Sequence, residues 1–125
     1  MTRSFRCLPI LLVLGACASR NADTPPPVPD AVAPAWHLKS IARAGSLQGR
    51  PLWVAEYRDG NSAAVSVTIH VLTTSVEGLD MTQKLLPSAN TVAFYTERYF
   101  AVVRWSNTDR APLTTLITNL EKALK

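Results

Sequence analysis

Residues 52–71 read Leu52-Trp53-Val54-Ala55-Glu56-Tyr57-Arg58-Asp59-Gly60-Asn61-Ser62-Ala63-Ala64-Val65-Ser66-Val67-Thr68-Ile69-His70-Val71. Two runs rich in β-branched and aromatic residues flank Asp59-Gly60, a pair that takes the positive φ values of a tight turn. The stretch therefore predicts a β-hairpin. With a two-residue loop, Tyr57 faces Ser62 and Val54 faces Val65. Side chains alternate across a strand, so Leu52, Val54, Ala63, Val65, Val67, Ile69 and Val71 form the core face. The other face then carries Trp53, Ala55, Tyr57, Ser66, Thr68 and His70, with Glu56 near the end of the core face.

Working outward, Val92–Thr96 and Tyr99–Trp105 predict a second hairpin. Its turn at Glu97-Arg98 lacks glycine, which predicts a looser loop or one long bent strand. Val92, Phe94, Tyr95, Tyr99, Phe100, Val102, Val103 and Trp105 put apolar groups on both faces, the pattern of strands covered on two sides. Leu113, Leu116, Ile117, Leu120 and Leu124 follow helical spacing. Thr108 or Asp109 is placed to cap that helix, Pro112 suits its first turn, and Lys122 and Lys125 suit its negative end. A further helix is expected from Ser75 to Leu86, because Thr74 and Glu77 have capping-box spacing and Pro87 ends it. Gly78 weakens that helix. Trp36 to Ala44 fits either a strand or a short helix ended at Gly45. The fold class is thus α+β: a small antiparallel sheet of about four strands in ββαββα order, with the helices packed on one face. Val54-Ala55-Glu56-Tyr57 and Val92-Ala93-Phe94-Tyr95 look alike and hint at one ββα unit used twice.

The N-terminal part has a different character. Arg3 and Arg6 precede an almost wholly apolar run, Leu8 to Leu14, and small residues lead to Cys17. This is the three-part layout of a secretory signal, and its apolar run is too short to span a bilayer. Leu14-Gly15-Ala16-Cys17 resembles the lipobox of bacterial lipoproteins. The resemblance implies removal of residues 1–16 and acylation of Cys17, with several chains giving stable anchoring where one does not. Ala18 in place of aspartate implies, by the same resemblance, the outer membrane, facing the periplasm. Cys7 leaves with the leader, so no thiol remains for a disulfide or a cysteine metal site. Residues 17–35 then read as lipidated cysteine plus tether: Pro25, Pro26, Pro27, Pro29 and Pro34 make an extended spacer reaching at most roughly 55 Å. Residues 36–125 are left for one small domain.

That domain carries ten Lys/Arg and seven Asp/Glu, with no basic run, in a chain of net charge +4. Nucleic-acid binding has no support in such a scatter. No nucleophile elbow, phosphate-cradling glycine loop or His-Glu-x-x-His pair occurs. His37 and His70 lie far apart in sequence, and a metal site joining them to Asp59 or Asp80 has no predicted geometry. Glu56 and Glu97 make an acid/base pair only if the hairpins bring them together. The expectation is a non-enzymatic domain without cofactor, held to the membrane by its lipid and binding an envelope protein or a second copy. The alternative is a module for cell-wall glycan or a small amphiphile, using the aromatic sheet face. Trp53, Tyr57, His70, Tyr99 and Trp105 are the candidate surface for either. The competing reading is that Trp36 and Leu38 fold over Trp53 and Tyr57 and bury them.

Overall fold

The computed structural model describes residues 24–33, 35–47 and 49–125. The leader, Cys17 and the first part of the tether lie outside them. Six strands, β1 (Ala31–Val32), β2 (Trp36–Leu47), β3 (Arg50–Arg58), β4 (Ala64–Val71), β5 (Thr91–Tyr95) and β6 (Tyr99–Ser106), join two helices, α1 (Ser75–Lys84) and α2 (Arg110–Ala123). They form one antiparallel sheet in the order β1-β2-β3-β4-β6-β5. The fold is α+β as expected, with six strands in place of the expected four or so. The additional pair comes from the N-terminal side: Trp36–Leu47 is a strand, bulged twice against β3, and β1 pairs with its start.

The β3–β4 hairpin forms with a different register. Arg58 pairs with Ala64 and Tyr57 with Val65, leaving a five-residue loop, Asp59–Ala63. The Asp59 carboxylate accepts the Asn61 amide (2.8 Å), a local turn that the longer loop makes room for. An odd slip exchanges the faces of one strand relative to its partner. Trp53, Ala55 and Tyr57 therefore share a face with Val65, Val67 and Ile69, while Leu52 and Val54 sit opposite. Burying an indole and a phenol removes more surface from water than burying a leucine and a valine. That difference favours the observed register.

On this front face, Leu113, Leu116 and Leu120 of α2 and Leu124 at its C-cap pack over Trp53, Ala55, Tyr57, Val65, Val67, Ile69, Ala101 and Val103. The helix begins after Asp109, yet neither expected cap bonds its first turn: the Asp109 side chain makes no capping bond, and the Thr108 hydroxyl donates to Ser106 O (2.8 Å). α1 lies on the back face, where Gly78 and Met81 meet Leu72, Tyr95, Phe100, Val102 and Ala93. The helices thus cover opposite faces, not one. β6 has both apolar sides buried, which is why it accepts a helix on each. A two-fold axis exchanging the hairpins through the antiparallel β4–β6 pair would leave both helices on one face. The opposite placement removes the hint of a duplicated ββα unit.

α1 carries the expected capping box, with Glu77 N–H donating to the Thr74 hydroxyl, and ends at Leu85, two residues before Pro87. Gly78 is required rather than tolerated. A Cβ there would stand 2.7 Å from Tyr95 Cβ and 2.9 Å from Leu72 Cδ1. The glycine lets the helix axis approach β5 this closely.

Candidate functional site

The five candidate residues do not form one surface. Trp53 is 6% exposed and Tyr57 0%. Both lie beneath α2 and a strap formed by the residues before β2. Trp105 and Tyr99 are half-buried against the same cluster. His70 is on the back face, paired across the sheet with Leu52 and Phe100. The burial of Trp53 and Tyr57 corrects their assignment to a binding surface, and its cause is specific. Tyr57 Oη donates to Pro29 O (2.6 Å), Leu38 N–H donates to Asp30 O (2.8 Å), and Trp36 Nε1 donates to Pro112 O (3.0 Å). Pro26 is buried, and Val28 and Val32 pack on the front-face core. The second half of the proline-rich stretch is therefore part of the domain and not free tether. Burial, and then the nearby Asp30 charge, push the Tyr57 phenol well above its ordinary value.

The back face is covered only over β5 and β6. His70 floors two hollows beside α1. One, of about 120 Å³, lies among Leu47, Arg50, Pro51, Glu77 and Met81. The other, of about 360 Å³, runs under Met81, Lys84 and Leu85 to Phe100, Val102 and Arg104. The His70 ring stands 5.4 Å from that of Phe100 at 58°, and burial lowers its pKa. His70 Nδ1 and Trp53 Nε1 are buried without hydrogen-bond partners. At the rim, Arg50 pairs with Glu77 (2.7 Å), whose carboxylate also accepts the Thr73 hydroxyl (2.6 Å) and amide (2.7 Å). Those bonds hold the Glu77 carboxyl down at about 2. The capping box flagged Glu77 in the sequence. Arg50, 27 residues away, carried no such signal.

The candidate acid/base pair is not brought together. Glu56 aligns with Arg104 across two strands and bonds Arg58 (2.8 Å). Glu97 lies in the turn beyond Tyr99, roughly 16 Å further along the strands at about 3.3 Å per residue. His37 pairs with Arg58, whereas His70 pairs with Leu52, so they occupy opposite ends of the back face. Among the described residues, no three His, Cys, Asp or Glu side chains cluster as a metal site, and no helix is long and apolar enough to cross a membrane.

No protein family matches the chain, and no characterised protein or solved structure matches it either.

The feature that sequence reading missed is the outer edge at β5. The Thr96 amide donates to Tyr99 O and the Trp105 amide to Asn90 O. Antiparallel pairing alternates, so Asn90, Val92, Phe94 and Thr96 bond inward to β6, and Thr91, Ala93 and Tyr95 direct their N–H and C=O groups away from the sheet. The strand has no proline, charge or bulge to guard that edge; at the other edge, β1 covers only the start of β2, and the rest of β2 carries Lys39, Arg43 and two bulges. Exposed apolar side chains flank β5 on both faces: Val92 on the front, and Tyr95 on the back, where α1 carries exposed Val76 and Leu79, with Leu86 just past the helix end. Gly78 faces Tyr95 and Leu72, so helical periodicity leans Leu79 toward the β5 side and turns Val76 away from the sheet.

Proposed function

We propose that this chain is an outer-membrane lipoprotein, acylated at Cys17, whose periplasmic domain is a non-enzymatic accessory module that binds a protein partner along β5. The unguarded main-chain edge carries this reading. An incoming extended segment would bond Thr91, Ala93 and Tyr95 and lay alternate apolar side chains against Tyr95 and Leu79 on one face and Val92 on the other, the mode in which backbone gives affinity and side-chain pockets give specificity. A photo-crosslinking residue at Val92, in cells making the full chain, tests it. The expected result is a discrete adduct that a crosslinker at Asn61 does not give. Ala93→Pro removes an outward N–H and no β6 bond, so it abolishes the adduct while leaving the circular dichroism spectrum intact. Recovery of monomer alone from Val92 would refute the reading.

The alternative, binding of a small amphiphile, moves from the buried Trp53 and Tyr57 to the back face. The hollow under Met81 and Leu85 has apolar walls with Lys84 and Arg104 at its margins, a pattern that suits an anionic head and an acyl tail. Titration with a lysophospholipid, following the His70 imidazole resonances, tests it; unmoved resonances discard it.

A further inference from the structure

We infer that one pole of the domain faces the bilayer at close range: the pole formed by the β2–β3 turn, the β5–β6 turn and the end of α2. The inference rests on the proposed acylation of Cys17, and it follows from how little chain is left to act as a leash. Pro26, Val28, Pro29, Asp30 and Val32 are held to the domain by burial, by the Tyr57 and Leu38 hydrogen bonds and by β1 pairing. Only Cys17 to Asp23 separate the anchor from the first described residue, Thr24. Seven residues reach at most about 25 Å when fully extended, less than half the roughly 55 Å available if the whole proline-rich stretch ran free.

Where the leash attaches fixes which surface it brings down. Thr24 lies in a groove with Gly49, Arg50 and Pro51 of the β2–β3 turn, Thr73 after β4, and Arg98 of the β5–β6 turn. The C-terminal end of α2 is at this pole too, because Thr96 Oγ1 donates to Leu124 O (2.9 Å). The opposite pole carries the Asp59–Ala63 loop. From Pro51 to Arg58 the sheet extends about 23 Å, and the loop adds about 5 Å more. An inverted domain, with that loop on the membrane, would hold Thr24 about 28 Å above it. A fully stretched leash does not reach that far. The surface turned to the lipid then offers exposed Leu47, Arg98, Lys122 and Lys125, with Glu97 and Glu121 among them. Apolar and cationic groups of this kind suit a phospholipid headgroup layer.

The test uses the full, lipidated chain in phosphatidylethanolamine/phosphatidylglycerol vesicles. Acylation occupies Cys17 and the leader takes Cys7, so one introduced cysteine is a unique labelling site. A fluorophore at Glu97→Cys and one at Asn61→Cys are compared using headgroup-attached nitroxide quenchers. Quenching at 97 is expected to exceed that at 61 by fivefold or more. Equal quenching, or more at 61, on protein that floats with the vesicles and shows acyl mass at Cys17 overturns the orientation and leaves the anchor standing. An unmodified Cys17 by mass spectrometry overturns the anchor and the orientation with it.

Discussion

Replacing Gly78 by alanine sets two effects of opposite sign against each other. In an exposed helix the change stabilises by about 1 kcal/mol through backbone entropy. Here the new methyl would stand 2.7 Å from Tyr95 Cβ, 2.9 Å from Tyr95 Cδ2 and 2.9 Å from Leu72 Cδ1. Carbon atoms in contact sit about 3.5–4.0 Å apart, so α1 has to lift from β5 by roughly 1 Å. Tyr95 Cβ is fixed to the strand backbone and cannot rotate away. Lifting the helix loosens Met81 from Phe100 and Val102, and overpacking of this kind costs about 1–3 kcal/mol. Because the clashing Tyr95 Cβ cannot give way, the cost lies in the upper part of that range, about 2–3 kcal/mol, and against the propensity gain the net loss is about 1–2 kcal/mol. At about 4–8 °C per kcal/mol for a domain of this size, Gly78→Ala lowers the thermal midpoint by roughly 5–15 °C. Circular dichroism melts of the two chains measure it. A midpoint that stays level or rises would show that helix propensity wins, and that α1 does not approach the sheet as closely as argued.

Three further outcomes follow from other contacts. Tyr57→Phe leaves Pro29 O without its donor; it costs about 1–2 kcal/mol and exposes residues 24–32 to limited proteolysis, whereas an unchanged cleavage rate would mean that the strap is held elsewhere. Glu77 has its carboxyl held at about 2, against an ordinary 4.5, by Thr73 and then Arg50. Its contribution to stability is complete above pH 4.5 and is lost as pH falls from there toward 2, so Glu77→Gln flattens the acid limb of a urea-midpoint titration across that window. Thr96→Val removes a hydroxyl that donates to Leu124 O and accepts from Tyr99 N–H (3.2 Å) and Arg98 N–H (3.4 Å); the urea midpoint should fall by the equivalent of about 1–2 kcal/mol, and amide exchange in the β5–β6 turn should quicken.

The elements whose signals are local were legible. Leucine spacing from 113 to 124 has one reading, and Thr74, Glu77 and Pro87 bound α1 between them. The alternation Val65, Val67, Ile69 against Ser66, Thr68, His70 gives the two faces of β4 directly. β3 resists the same reading because Leu52-Trp53-Val54-Ala55 is apolar on both sides, so its own sequence does not choose a face. The choice comes from what α2 and the strap can cover. The strap was hidden for a related reason: five prolines resemble a tether, and only Tyr57, buried and needing an acceptor, shows why Pro29 is fixed. Gly78 looked like a flaw because its purpose lies in a strand 17 residues on. The β5 edge was illegible in principle, since strand order is a property of the whole sheet. A two-residue turn at Asp59-Gly60 pairs Tyr57 with Ser62 and leaves the aromatic face open; the observed pairing of Tyr57 with Val65 is three residues away and buries it.

That same register links the two ends of the functional reading. With Trp53 and Tyr57 on the front face, their burial needs a cover, and the residues before β2 supply it by lying along the sheet from Thr24 to Val32. Each residue spent on the cover is lost from the leash, so the packing of two aromatic side chains sets how far the domain can stand from its anchor. A domain held by the Thr24 pole has strands running between its near and far poles, and the β5 edge then rises away from the bilayer along its side. An extended partner segment meeting that edge is expected to run along the membrane normal, within about one strand length of the headgroups. Loosening the strap with Tyr57→Phe should therefore weaken capture at β5 by lipid-bound chains, although Tyr57 and β5 share no contact. In detergent, where no bilayer fixes the height of the domain, capture should be unchanged. Equal loss in both settings would mean that the substitution acts through unfolding alone, and the link between cover and reach would fail.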